Sequence, residues 1–441
     1  LLLRLSVSRP NILLALALCA GTTAPARYAD EPPRDWIDPA TGHRVIRLST
    51  EAGSQTLYFH DNQYSPEGDK YVFTSRSGIW LVDLTRLGKE PPKPELIVPN
   101  AGGAYMARRT REVYFTRRAP NAGGAPVGAR GPASGEVYAY NYDTKQTRPV
   151  PFATRTLINA DETFTVAPVL AEDPTGKTPR PEARVARPQL ARMFPGKTME
   201  QLSAEQRYAV TKEDGLARRA VNPEPMAFVF TSLKTGAPDT VGYQYGWLNH
   251  MQFNPKDPKL LLYCHEGTWH EVDRIWTIRT DGSAMTLQHK RSMDMEIAGH
   301  EFWSWDGKTI WFDLQTPRSE VFWIAGVDIS TGRETRYHID RDAWSVHYNV
   351  SRDNSLFMGD GGDETQVAYS HEGRWINLFR VQPNGTVSRE KLVNMARQNY
   401  VTGQGGVEPN GSITPDKKWV IFTGNFDGER HVYAVEIAKH S

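Results

Sequence analysis

Histidine is scarce in this 441-residue chain, with 12 copies, yet three of them hold one position relative to a recurring turn. His250 stands four residues before Asn254, His300 four before Ser304 and His347 four before Ser351, while Asn410 stands four before Thr414. Groups that recur at one register of a repeat sit on equivalent strands, so their side chains aim at a shared spot. Glu408, two residues before Asn410, and Gln252, two after His250, fall on the same faces of their extended segments. His60, in Leu57-Tyr58-Phe59-His60, is one residue off the register.

Such a set has two uses. An imidazole, with an ordinary pKa of about 6.5, exchanges protons near neutral pH. His nitrogens together with Glu and Asn oxygens suit Mn²⁺ or Zn²⁺, or Ca²⁺ where oxygen dominates. A carboxylate such as Glu408 in a partly dry channel needs a cation or a donor to offset its lost hydration. The simpler roles are an inward His bonded to a neighbouring strand, a loop cap for His265 and Glu266, and an ion pair with adjacent Asp273 for Arg274. Cys264 reads as a small buried residue.

The elements that position these groups are read from the turn phrase. Ser65-Pro66-Glu67-Gly68, Ser304-Trp305-Asp306-Gly307 and Thr414-Pro415-Asp416-Lys417 each precede an apolar strand, as do variants at Asn254 and Ser351 and weaker copies near Arg108 and Asn159. Seven copies, each followed by further short strands, predict an all-β, seven-bladed propeller with these residues on the innermost strands. Residues 44–48 are placed to pair with the last sheet and close the ring. Residues 172–225, rich in Pro, Arg and Ala with helical spacing over 198–210, read as a partly helical insertion in the third blade.

At the N-terminus, Arg4 and Arg9 flank an apolar run over 12–20, and Ala24-Pro25-Ala26 follows. This predicts a removable export signal over 1–26, a mature propeller over 27–441 and a periplasmic or secreted location, with no membrane insertion. Cys264 is then the sole cysteine, so no internal disulfide is expected. The balance of 52 basic against 51 acidic residues argues against nucleic-acid or membrane-surface partners. Gly403-Gln404-Gly405-Gly406 lacks a following helix, which argues against a nucleotide cofactor.

At Asn249-His250-Met251-Gln252-Phe253-Asn254-Pro255, Tyr263-Cys264-His265-Glu266-Gly267, Gly299-His300-Glu301-Phe302-Trp303 and Phe357-Met358-Gly359-Asp360-Gly361 the chain resembles the oligogalacturonate lyase family. The resemblance implies a seven-bladed propeller that binds Mn²⁺ through three His and one Gln and cleaves by β-elimination with a further His as base. By position, His250 matches the base and His300 the first metal histidine. Glu408-Pro409-Asn410 stands where the family has His-Pro-His, and Gly405 where it has its Gln, with Gln404 one position away. The family's arginine falls at Ala227, which leaves Arg274 or Arg108 to serve. His60, Gln252, His265, His347 and Arg108 are expected to contact a uronic-acid oligosaccharide. Competing readings are a propeller lyase for rhamnose-linked glucuronate and a non-catalytic periplasmic binding propeller like that of the Tol system.

Overall fold

The turn phrase recurs because its first side chain organises the reversal. The Ser304 hydroxyl donates to Asp306 at 2.6 Å and accepts from the Thr309 N–H at 2.9 Å. Gly307 supplies a φ of 70°, which favours glycine. Ser65, Ser351 and Thr414 make the same kind of contact with Asp69, Asp353 and Asp416, each at 2.7 Å. These turns join the first two strands of their blades at one end of the ring.

The computed structural model describes residues 34–117, 135–182, 185–368, 373–401 and 405–440. Their strands form seven antiparallel sheets, as the repeat predicts. The fourth blade runs Trp247–Phe253, Leu260–Glu266, Ile275–Arg279 and Thr286–Leu287, and the fifth begins with Ile297–Trp303 and Thr309–Gln315. The last blade is closed by the N-terminal segment: His43–Arg47 pairs with His431–Lys439, with Val45 opposite Val435. The ring is thus shut by strands drawn from its own two ends. The core lies between blades. One cluster joins Tyr114 and Ala139 of the second, Phe228 and Phe230 of the third and Phe253 and Leu261 of the fourth, all buried.

The insertion leaves the third blade between Phe164–Leu170 and Pro225–Ser232. It carries Ala204–Arg219, a helix whose Ser203 cap accepts from the Gln206 N–H in a capping box. The helix is fixed to the ring by a buried ion pair, Glu213 to Arg318 at 3.1 Å. Among the described residues no helix is long and apolar enough to cross a membrane. The expected export signal and Gln404 lie outside the described residues.

Candidate functional site

Seven backbone positions hold the site register. The residue four before each turn is Asp61, Gly103, Arg155, His250, His300, His347 or Asn410, counted from Ser65, Ala107, Asn159, Asn254, Ser304, Ser351 and Thr414. Four of these share a left-handed φ, and three of the four carry side chains: His250, His300 and Asn410 have φ of 48°, 48° and 49°. In the two histidine-bearing strands the ladder slips by one residue, between Asn249 and Gln252 in the fourth blade and between Gly299 and Phe302 in the fifth. A bulge of this kind re-aims one side chain out of the strand's alternation. In the second blade the slip falls at Gly103, φ 63°, which brings no side chain to the site.

The aimed rings meet. His300 and His347 lie 4.8 Å apart between centroids, and Phe59 stacks on His347 at 4.5 Å. Tyr58 stands between His250, His60 and His347 at 5.5, 4.7 and 5.4 Å. His60 is 5.9 Å from His250, and burial lowers its pKa despite Asp61 at 3.5 Å.

Each of two histidines is held by an aspartate. His300 Nδ1 is 2.9 Å from Asp313 and His347 Nδ1 is 2.8 Å from Asp360. Asp360 also accepts from the backbone N–H of His347 at 2.8 Å and of Asn410 at 3.0 Å, so it ties two blades together. Burial pushes the His300 pKa well down, which keeps the imidazole neutral. Nδ1 fixed by a carboxylate leaves Nε2 as the free donor nitrogen, the arrangement common behind metal-binding histidines. Nε2 of His347 is buried without a hydrogen-bond partner, 3.9 Å from Glu408. Asn410 accepts from the Phe59 N–H through its side-chain oxygen at 3.2 Å. Among the described residues no three His, Cys, Asp or Glu side chains already form a metal cage. The donor set is therefore two imidazoles, one carboxylate and one amide.

His250 is held differently. Its Nε2 lies 2.9 Å from Glu266, whose other oxygen is 3.2 Å from Arg274 Nη2. Burial alone would raise the Glu266 pKa, but the Arg274 charge and the His250 bond outweigh it and keep the carboxylate ionised. Arg274 is 3% exposed and packs over Trp269 at 3.8 Å. It reaches His250 only through Glu266, which makes it a positioning residue. The adjacent Asp273 pairs with Arg291 instead, at 3.1 Å. Tyr58, His60, Arg155 and His250 line a cavity of about 350 Å³.

Other expected residues line neighbouring cavities: Arg108 and Gln252 share one with His60, and His265 lines the one that reaches Glu266. Arg108 sits beyond the Gly103 bulge, toward the turn-side mouth, where its guanidinium lies 5.9 Å from the Trp305 ring. Gln252 is buried and donates to the Glu301 carbonyl at 2.7 Å, a contact between blades. His265 bonds the Tyr245 carbonyl at 3.1 Å, and burial lowers its pKa. Four site residues are not singled out by the sequence pattern: Arg155, Tyr58, Asp313 and Asp360. Both aspartates lie 13 residues after the histidine they hold, a spacing visible without a structure.

Comparison with known proteins adds three findings. Residues 222–441 match the family model described as oligogalacturonate lyase. The chain is 27% identical to an oligogalacturonide lyase of Pectobacterium atrosepticum and 29% identical to an oligogalacturonate lyase of Dickeya dadantii, each over 211 residues. These matches take in 46% of this chain and 54% of each relative, so the chain spans about half the length of the curated relatives it matches. A solved oligogalacturonate lyase in complex with manganese shares the fold, with a TM-score of 0.66 at 19% identity over 92% of this chain and 96% of that one.

Proposed function

We propose, from the match of residues 222–441 to the oligogalacturonate lyase family model and the geometry at His250, that the chain cleaves uronic-acid oligosaccharides by β-elimination with His250 as the base. The observation that carries this reading is the Glu266–His250 pair at the wall of an open cavity. With Nε2–H held by Glu266, the Nδ1 lone pair of His250 takes the C5 proton, and the carboxylate stabilises the imidazolium that forms. The electron pair of the C5–H bond becomes the C4–C5 double bond as the C4–O bond breaks, and the departing oxygen takes up a proton. Negative charge develops on the sugar carboxylate in between. Arg155, at the same register as His250 and lining the same cavity, is suited to orient that carboxylate through its planar fork of donors.

His300, His347, Glu408 and Asn410 are the groups that would hold a divalent cation, since His347 Nε2 is buried without a partner and His300 is kept neutral. Two imidazole nitrogens favour Mn²⁺ over Ca²⁺, which prefers an all-oxygen shell. The chemistry such an ion supplies when bound is neutralisation of the carboxylate charge. An export leader over residues 1–26 and a periplasmic or secreted site of action complete the reading.

The test is incubation with oligogalacturonides, Mn²⁺ supplied, while ultraviolet absorbance of the unsaturated product is followed. Absorbance that grows with enzyme supports the proposal. A flat trace with every uronate glycan, rhamnose-linked glucuronate included, rejects it.

A further inference from the structure

The insertion helix ends at the edge of the His250 cavity. Its last residue, Arg219, lays its guanidinium 3.6 Å from the centre of the Trp247 ring, and Trp247 opens the strand that carries His250 three residues later. The cavity of about 350 Å³ at His250 and a neighbouring one of about 640 Å³ share Arg219, Glu224, Gly246 and Trp247. The larger cavity also reaches Glu266, the carboxylate that holds His250, and the indole of Trp276.

Arg219 is exposed, and among the described residues no carboxylate lies within 4.0 Å of it. A guanidinium held over an indole face is restrained by that contact while N–H donors stay open to take a carboxylate bidentately. The helix that carries it is anchored by the buried Glu213–Arg318 pair and by Leu216 packed against the cluster of Trp269, Ile297 and Val367, so the fork is held in place. Three extended residues span roughly 10 Å. That separation exceeds one sugar ring and suits a sugar beyond the two joined by the bond cleaved at His250.

We propose that Arg219 binds the carboxylate of a uronate beyond the two joined by the bond that is cleaved, that the two cavities form one cleft, and that the insertion thereby favours substrates longer than a dimer. The inference rests on the uronate-lyase reading. Every residue of such a glycan carries a carboxylate, so a third sugar offers Arg219 a group that a dimer lacks.

The test compares di-, tri- and tetragalacturonate with wild type, Arg219→Ala and Arg219→Lys, by kcat/KM and by calorimetric binding to the same variants in a His250→Ala background. Removal of one charge-assisted hydrogen-bonded pair predicts that the preference for tetra- over digalacturonate falls about tenfold in Arg219→Ala, through KM, with partial recovery in Arg219→Lys. An unchanged preference in a folded Arg219→Ala protein overturns the inference while leaving the lyase reading intact. Absence of both cleavage and binding by the wild-type protein overturns the lyase reading, and this inference with it.

Discussion

Replacing Glu266 by glutamine keeps the shape of the side chain and removes its charge. Two interactions change together: the 2.9 Å contact to His250 and the 3.2 Å pair with Arg274, whose side chain is 2% exposed. A hydrogen bond to a charged group is worth about 1.5–3 kcal/mol. If that energy is realised as the imidazolium forms, at about 1.4 kcal/mol per tenfold the loss is roughly 10- to 150-fold in kcat, with little change in KM. Stability falls as well, because Arg274 becomes an uncompensated buried cation, at a cost of about 3–5 kcal/mol. The double variant Glu266→Gln/Arg274→Met separates the two effects. Removal of the uncompensated charge restores much of the stability to denaturant, whereas kcat stays low because no carboxylate faces His250. The assay is the initial rate of product absorbance alongside urea unfolding of each protein. A folded Glu266→Gln protein with kcat within about threefold of wild type would refute the reasoning.

Three further outcomes are expected. Asp360→Asn weakens the hold on both His347 and Asn410, so Mn²⁺ affinity measured by calorimetry falls about 10- to 100-fold. Gly299→Ala drives a Cβ into the Trp269 ring, the ring that supports Arg274, so the urea midpoint drops by an equivalent of about 1–3 kcal/mol. His289, between Glu296 and Glu334 at 2.9 Å each, has a raised pKa because these carboxylates outweigh its burial. Its stabilisation is fully present below about pH 6.5 and is lost as pH rises through the raised value. The stability gap between wild type and His289→Gln is therefore wide near about pH 5.5 and narrow near about pH 8.5.

The ring was legible because one turn phrase recurs with a fixed side-chain role, and a closed repeat converts sequence register into spatial register. That logic alone brought His250, His300, His347 and Asn410 together. It also holds Arg155, which the weak copy of the phrase at Asn159 hides. The bulges were not legible, since a one-residue slip is set by backbone pairing and only the left-handed φ reveals it. Arg274 could not be paired from sequence: adjacency favoured Asp273, while the loop over 267–273 folds back and delivers Glu266 instead. Arg108 was drawn toward the site by charge. It follows Ala107, the first residue of its turn, and so belongs to the other end of the strand from the residues that face the His250 cavity.

The most direct measurement is cleavage of oligogalacturonides by His250→Ala, with and without added imidazole. Loss of general-base catalysis predicts a rate about 10²- to 10⁴-fold below wild type, with part of it restored by imidazole. Undiminished cleavage by that variant would contradict the assignment of His250 as the base.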